Sequence, residues 1–225
     1  IEGHKIKIFI PSNLAEWRAS NLEEKEPETI EWIKNFELDK EGNSIFWDIG
    51  ANIGLYSLYA AKYHEKIKII SFEPSVLNLN LLARNISVNN FEDKILINQI
   101  PITNKKNSFL YMRESFLEEG ASLSTFGENF NFEGKEFNPK MKYKLFGTSI
   151  DYYIENKILK IPNYIKIDVD GIEHLILETG LKAIETELVK SILVEVNENF
   201  LDQKVRIEKI MDKCNFRLQK KCKSK

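Results

Sequence analysis

Apolar residues in this chain gather into short runs separated by longer stretches of helical spacing. Ile45–Ile49, Ile67–Phe72, Ile95–Ile102, Tyr164–Val169 and Ser191–Val196 each read as a strand. The stretches from Gly54 through Ala61, Leu77–Val88, about Ile172–Ile184 and 201–213 place apolar residues three and four apart and read as helices. Upstream, alternation over 5–10 predicts a further strand, and an acidic helix runs from Glu26 to Phe36. Pro27 suits the first turn of that helix, with Ile30, Ile33 and Phe36 on its apolar side. Glu23, Glu24, Glu26, Glu28 and Glu31 read as its solvated face, and Phe216-Arg217-Leu218 ends the series.

Strand–helix alternation requires crossover connections. It therefore predicts an α/β fold, a doubly wound, Rossmann-like, mostly parallel sheet with helices on both faces. The segment 108–147 breaks the rhythm. It is rich in aromatic residues, among them Phe109, Tyr111, Phe116, Phe126, Phe130, Phe132 and Phe137, and alternates like a hairpin. We read it as an insert able to shape a pocket beyond the carboxyl ends of the strands. The expected organisation is one domain over 1–225, with an N-terminal strand and helix cap over 1–44 and the insert over 108–147. Because the first residue is Ile1, the chain is expected to be a piece of a longer polypeptide.

Composition narrows the classes. At 43% hydrophobic and 29% charged residues the chain is too apolar and too nearly neutral for a disordered segment. Charged or amide residues interrupt every apolar run well short of a membrane span. A formal charge of −2 gives no electrostatic reason to expect nucleic acid. The lysines of the tail, Lys220, Lys221, Lys223 and Lys225, read as a solvated end. Two cysteines, Cys214 and Cys222, make neither a disulfide framework nor a zinc pattern, so a cytoplasmic, reducing location is expected.

Asp48-Ile49-Gly50-Ala51-Asn52-Ile53-Gly54 lies at the first strand-to-helix turn, where this fold places its ligand. Glu73 follows nineteen residues after Gly54, at the end of the second strand, placed to take both hydroxyls of a ribose. Dinucleotides and S-adenosylmethionine both use such geometry, and electrostatics separates them. A pyrophosphate wants three glycines and no anion alongside. Here the third glycine is missing and a carboxylate, Asp48, stands at the strand end, which suits the ammonium and sulfonium of S-adenosylmethionine. Leu55 and Tyr56 follow Gly54, so the lysine of a nucleotide-phosphate loop is missing too.

With these residues the chain resembles the FkbM-type S-adenosylmethionine-dependent methyltransferases, within the class I methyltransferase superfamily. The resemblance rests on Phe46–Ser57, on Phe72-Glu73-Pro74 and on Lys166-Ile167-Asp168-Val169-Asp170-Gly171-Ile172-Glu173. Weaker echoes are Ala121-Ser122-Leu123, Thr148-Ser149-Ile150-Asp151 and Leu193-Val194-Glu195-Val196. The family usually has Glu where Asp170 stands. The resemblance implies methylation of a hydroxyl, commonly of a sugar or polyketide, in cell-surface glycan or natural-product assembly. It implies that Asp48, Gly50, Asn52 and Gly54 line the methionine end of S-adenosylmethionine, that Glu73 holds the ribose, and that Gln99 and Ile100 lie near the adenine, with Tyr56 and Pro74 also among the cofactor-binding residues. Ser122, Lys166, Asp170, Glu195 and Asn197 are the expected acceptor-side residues. The expected partners are a carbohydrate or glycan acceptor and further glycan-synthesis domains on the same polypeptide.

For the chemistry, Asp168 is the first candidate for a general base, with Glu173 and His174 in reserve. The carboxylates gathered here could instead hold a divalent cation, since hard cations favour oxygen ligands; nothing in the spacing fixes an octahedral set, and metal is the less favoured reading. Asp168-Val169-Asp170-Gly171 differs from the Asn/Asp-Pro-Pro-aromatic motif of enzymes that methylate amino groups, and neither cysteine follows a proline as a cytosine-attacking nucleophile would. Two alternatives of other classes remain: a dinucleotide-binding oxidoreductase, and a non-catalytic glycan-binding module of a larger enzyme.

Overall fold

The computed structural model describes residues 5–105, 107–136 and 138–222. Five strands form one parallel sheet: β1 (Ile45–Ile49), β2 (Lys68–Phe72), β3 (Ile95–Asn98), β7 (Tyr164–Ile167) and β8 (Ser191–Val194). Their order is β3-β2-β1-β7-β8, with the chain reversing direction across the sheet at β1. β1 shows why the sheet is covered on both sides. All five of its residues are buried, with Ile45, Trp47 and Ile49 in one apolar cluster and Phe46 in the other. A strand buried on both faces reads as a continuous apolar run, which is how Ile45–Ile49 reads apart from Asp48.

Helices α4 (Leu55–Tyr63), α5 (Val76–Val88) and α9 (Leu201–Lys213) fill expected crossovers or follow the last strand. The helix expected over Ile172–Ile184 is broken into α7 (Glu173–Glu178) and α8 (Leu181–Ile184). Gly180 stands at the break, where a Cβ would lie 3.0 Å from Ile150 Cδ1. The insert forms a second, antiparallel sheet of order β5-β4-β6, from β4 (Ser108–Glu114), β5 (Thr125–Phe126) and β6 (Met141–Gly147). α6 (Ile150–Glu155) then leads back to β7.

The N-terminal part differs from its sequence reading. Segment 5–10 is extended but pairs with no strand. Its backbone is held by amide side chains of α5: Lys7 N donates to Asn89 Oδ1 (2.9 Å), Asn89 Nδ2 donates to Lys7 O (2.7 Å), and Phe9 N donates to Asn85 Oδ1 (2.8 Å). The acidic helix is α3 (Pro27–Lys34), ending before Phe36, whose ring stacks on Tyr164 at 3.8 Å. Two helices that the apolar pattern does not show precede it, α1 (Asn13–Ser20), capped by the Ser12 side chain, and α2 (Leu22–Lys25). Residues 216–218 form no strand; Phe216 N bonds back to Met211 O and closes the end of α9. Lys220 pairs with Glu31 and Lys221 with Glu198, while Lys223, Lys225 and Phe137 lie outside the described residues. No helix among the described residues is long and apolar enough to cross a membrane.

Asn85 ties three pieces of chain together. Besides accepting from Phe9, its fully buried amide donates to Ile53 O (2.9 Å) in the loop after β1. An alanine there would leave a buried carbonyl without its donor. Asn85→Ala is expected to cost about 2–3 kcal/mol, roughly 5–10 °C in Tm for a chain of this size. Asn89→Ala, at an exposed contact, should cost less than half of that. Thermal unfolding of the two variants measures the difference.

Candidate active site

Three turns at the carboxyl ends of β1, β2 and β7 build the site. Glycine is obligatory at two positions in them. Gly50 (φ 87°) lies so close to the β7 turn that a Cβ would sit 1.8 Å from Asp168 O, and Gly54 (φ 90°) caps α4 where a Cβ would strike Leu82 at 2.5 Å. Gly50 N and Ala51 N both donate to Phe72 O (3.0 Å), binding the first turn to the end of β2. Asn52 takes a left-handed φ of 52° between the glycines.

The insert is locked onto these turns by a set of amides. Ala121 O accepts from both Asn52 Nδ2 (2.8 Å) and Asn78 Nδ2 (3.0 Å), and Gly120 N donates to Asn78 Oδ1 (2.8 Å). Leu123 N donates to Asp170 Oδ2 (2.6 Å). From the other side, Arg18 Nε of α1 bonds to Gly120 O, and Ser12 Oγ donates to Glu119 O (3.1 Å). The cap, the insert and the glycine turn therefore meet around one opening.

Two cavities share that opening. The larger, about 640 Å³ with its mouth, is walled by Phe72, Glu73, Pro74, Pro101, Ile102, Met112, Ser122, Phe126, Val169, Asp170 and Ile172, among others. The smaller, about 430 Å³, lies under the cap between Arg18, Leu22, Lys25, Glu26, Ile53, Leu55, Tyr56 and Lys166. Gly50, Asn52 and Asp168 border both. The larger cavity is mainly apolar, with the carboxylates of Glu73, Asp168 and Asp170 on its wall. The smaller one carries charges of both signs.

Glu73 is 5% exposed, accepting from Asn52 N (2.7 Å) and Ser75 N (2.8 Å). Burial outweighs these bonds and pushes its carboxyl up to about 7. Lys166 is almost wholly buried, its ammonium 2.7 Å from Asp168 Oδ2 and 4.9 Å from the centre of the Tyr56 ring. Burial alone would strip its proton, but the negative charges of Asp168, Asp48 and Glu26 outweigh burial and hold it protonated. The same ion pair outweighs burial at Asp168 and keeps that carboxyl below the ordinary carboxylate range. Glu195, exposed and bordering neither cavity, shares a hydrogen bond with Asp168, whose charge pushes Glu195 up; the pair holds one proton, on Glu195. Asp170 is raised to about 6 by burial and by Asp168.

Several expected site residues lie elsewhere. Asp48 is fully buried beneath the turn, bordering neither cavity. It shares a strand face with Phe46, so its carboxylate points toward α4 and accepts from Ser57 Oγ (2.6 Å), itself 2.7 Å from Ser71 Oγ. Burial raises its pKa. Asp48 therefore acts on the opening through its cross-strand neighbour Lys166, not by contact. Gly54 caps the helix and borders no cavity. Gln99 is exposed and Ile100 half-buried outside the cavities, because β3 ends at Asn98; Pro101 and Ile102 form the wall instead. β7 ends at Ile167 and Asp170 adopts a left-handed φ of 59°, so Asp168 and Asp170 do not extend from one strand face, although both border the larger cavity.

The two reserve bases sit behind the wall. Glu173 is 1% exposed, and its two oxygens accept from Val169 N, Gly171 N and Gln203 Nε2. Burial raises it to about 7, and it holds the β7 turn in shape. His174 is 1% exposed and packs edge-on against Phe200, with burial pulling its ring down to about 4. Asn197 bonds to Gln203 and to Phe132 O, bridging α9 to the insert outside the cavities. Tyr56, Pro74, Ser122, Lys166 and Asp170 do border the cavities. Sequence reasoning missed Arg18, Lys25 and the cavity-facing role of Glu26; the signal available was Ser12, a cap residue just before Asn13. Among the described residues no three His, Cys, Asp or Glu side chains are grouped to hold a metal ion.

The chain matches the family described as Methyltransferase FkbM domain over residues 48–218. It is 27% identical over 175 residues to Methyltransferase sdnD of Sordaria araneosa, which covers 69% of this chain and 67% of that protein. Among solved structures it is similar to the methyltransferase FkbM of Methylobacillus flagellatus KT, with 14% identity and a TM-score of 0.49 over 89% of this chain and 56% of that one. It is also similar to a SAM-dependent methyltransferase from Aquifex aeolicus, with 13% identity and a TM-score of 0.43 over 94% and 91% of the two chains. The chain thus spans about two thirds of sdnD and little more than half of the Methylobacillus protein. The match spans most of the sequence and takes in all three turns of the site, which sets the oxidoreductase alternative aside: the chain belongs to the FkbM methyltransferase family and is an S-adenosylmethionine-dependent methyltransferase.

Proposed function

We propose that this chain methylates a carbohydrate hydroxyl, of a cell-surface glycan or a glycosylated natural product. The observation that supports this reading is the meeting of the two cavities at Gly50, Asn52 and Asp168. The charges match a zwitterion with a nucleoside attached. The larger, mainly apolar cavity suits adenosine, with the Glu73 carboxylate accepting from ribose hydroxyls. The smaller cavity offers Arg18 and Lys25 to a carboxylate and Glu26 to an ammonium. When bound, S-adenosylmethionine supplies a methyl group already activated on a sulfonium.

Asp168 then stands at the junction as the acceptor of the hydroxyl proton. Its low pKa suits orientation more than prior deprotonation: it accepts a hydrogen bond from the neutral hydroxyl and takes the proton as the oxygen becomes acidic during bond formation. Lys166 fixes the carboxylate, Glu195 shares a hydrogen bond with it, and Asp170 borders the same cavity. Aligning the oxygen behind the methyl group is the main demand, worth up to about 7–11 kcal/mol. The family resemblance supports a hydroxyl acceptor, and cavity-rim carboxylates and tyrosine suit the hydroxyl pairs of a sugar.

Three outcomes are expected. Asp168→Asn should lower kcat at least about a hundredfold while S-adenosylhomocysteine binding by calorimetry changes only a few-fold; full activity in that variant would remove Asp168 from the reaction. Mass-shift screening should find methylated sugars among glycan and deoxysugar acceptors, and methylation of a peptide, an amine or a nucleic acid alone would replace the acceptor class. Arg18→Ala should weaken S-adenosylhomocysteine about tenfold, the loss of a charge-assisted bond, but leave 5′-methylthioadenosine, which has no carboxylate, bound as before.

Glu73 adds a pH signature. A carboxyl raised to about 7 in the free protein must lose its proton to accept two hydroxyls. Affinity for the nucleoside should therefore rise with pH up to about 7 and level off above it, approaching tenfold per pH unit on the acid side. Glu73→Gln should bind more weakly with a flatter profile; the same slope in that variant would assign the titration to another group.

A further inference from the structure

The insert's sheet has two unlike faces. Its inner face carries Leu110, Met112, Tyr143 and Leu145, packed on the core, with Met112 on the wall of the larger cavity. Its outer face alternates in step on both long strands: Phe109, Tyr111 and Arg113 on β4 stand opposite Phe146, Lys144 and Lys142 on β6. Phe109 is 69% exposed and meets Phe146 edge-on at 5.6 Å. Arg113, Lys142 and Lys144 surround the Tyr111 ring at 5.4, 5.6 and 5.3 Å. Past the end of β4, exposed Phe116 and Leu117 prolong the strip, with Lys140 5.6 Å from the Phe116 ring. Among the described residues no carboxylate pairs with Lys140, Lys142 or Lys144. Arg113 donates to the backbone carbonyl of Glu128 (2.6 Å), whose carboxylate is paired with Lys105 at 2.8 Å.

We propose that this face docks on an anionic lipid bilayer. A chain with a formal charge of −2 that gathers unpaired cations on one flat face offers that face to a negative surface. Protruding phenylalanines at one end and Phe116 and Leu117 at the other match the layered chemistry of the interface, headgroup phosphates outside and acyl chains beneath. The other polyanions fit less well. No ring lies flat and free for a nucleic-acid base, since cations flank Tyr111 and the two phenylalanines meet edge to face. No amide or carboxylate stands on the outward positions to bind the hydroxyl pairs of a neutral glycan. Docking leaves the mouth of the cavities untouched, because Met112 reaches the cavity from the opposite side of the sheet.

Co-sedimentation of the full chain with phosphatidylcholine vesicles, with and without phosphatidylglycerol, tests this. Binding should require phosphatidylglycerol, fall as salt rises, and drop about fivefold for each lysine removed, so about twenty-five-fold in Lys142→Ala/Lys144→Ala. Phe109→Ala should also weaken it. Thermal unfolding and S-adenosylhomocysteine binding of these variants should match the parent, showing that the face alone has changed. Equal binding to neutral vesicles, no binding at low salt, or unchanged binding of the double variant would overturn the proposal. So would a single-stranded oligonucleotide bound through the same lysines in a chain that ignores vesicles. None of these readouts needs an acceptor, so failure of the sugar assignment would leave them unaffected.

Discussion

A single ammonium holds the mouth of this sheet together. Lys166 is 1% exposed, and an isolated charge so far from water would lose its proton. It stays charged because β1 places Asp48 beside it and the β7 turn brings Asp168 to 2.7 Å. The dependence runs in both directions. Asp168 is half-buried, and it would not remain ionised so cheaply without the cation beside it. The register of β1 against β7 is set in the same way, since a slip of one residue would turn Lys166 to the opposite, wholly apolar face. A charge cluster of this kind gives little net stability against an apolar replacement. Its value lies in fixing where a carboxylate stands, and that carboxylate borders both cavities.

The parallel sheet was legible because its strands are buried on both faces and its turns carry glycines with no substitute. The Gly50 contact with Asp168 O could not be seen in sequence, but its consequence, a glycine after an acidic strand end, could. The same turn and Glu73, singled out as candidate cofactor residues, both border the larger cavity. What failed was of another kind. Segment 5–10 alternates like a strand, yet its partners are the amides of Asn85 and Asn89, nearly eighty residues away, and alternation says nothing about which donor answers. Strand ends were overestimated at Ile102, Val169 and Val196 for a related reason. Apolar residues continue past the last ladder bond because they line a cavity or join the core rather than extend a strand.

The acidic N-terminal helix gave the most instructive error. Counting its glutamates suggests a solvated face, and most of them are solvated. Glu26 is not, because Pro27 starts the helix one residue later and leaves Glu26 in the link from α2, turned inward beside Lys25 and Tyr56. Asp48 erred in the opposite direction: a carboxylate at a strand end was expected to face the ligand, but strand parity sends it to α4 and Ser57. In both cases the side of the backbone, not the residue type, decided the role.

The insert explains how a site can be closed by segments remote in sequence without a large interface. Ala121 O collects two side-chain amides, one from the glycine turn and one from α5, while Arg18 takes the neighbouring carbonyl, Gly120 O. Residues 115–124 thus serve as a latch between cap and sheet. The antiparallel sheet from which this latch projects faces the cavity on one side and presents its cations on the other. A molecule that sits on a charged surface by this face would keep its cavities open to the side, toward acceptors carried along that surface.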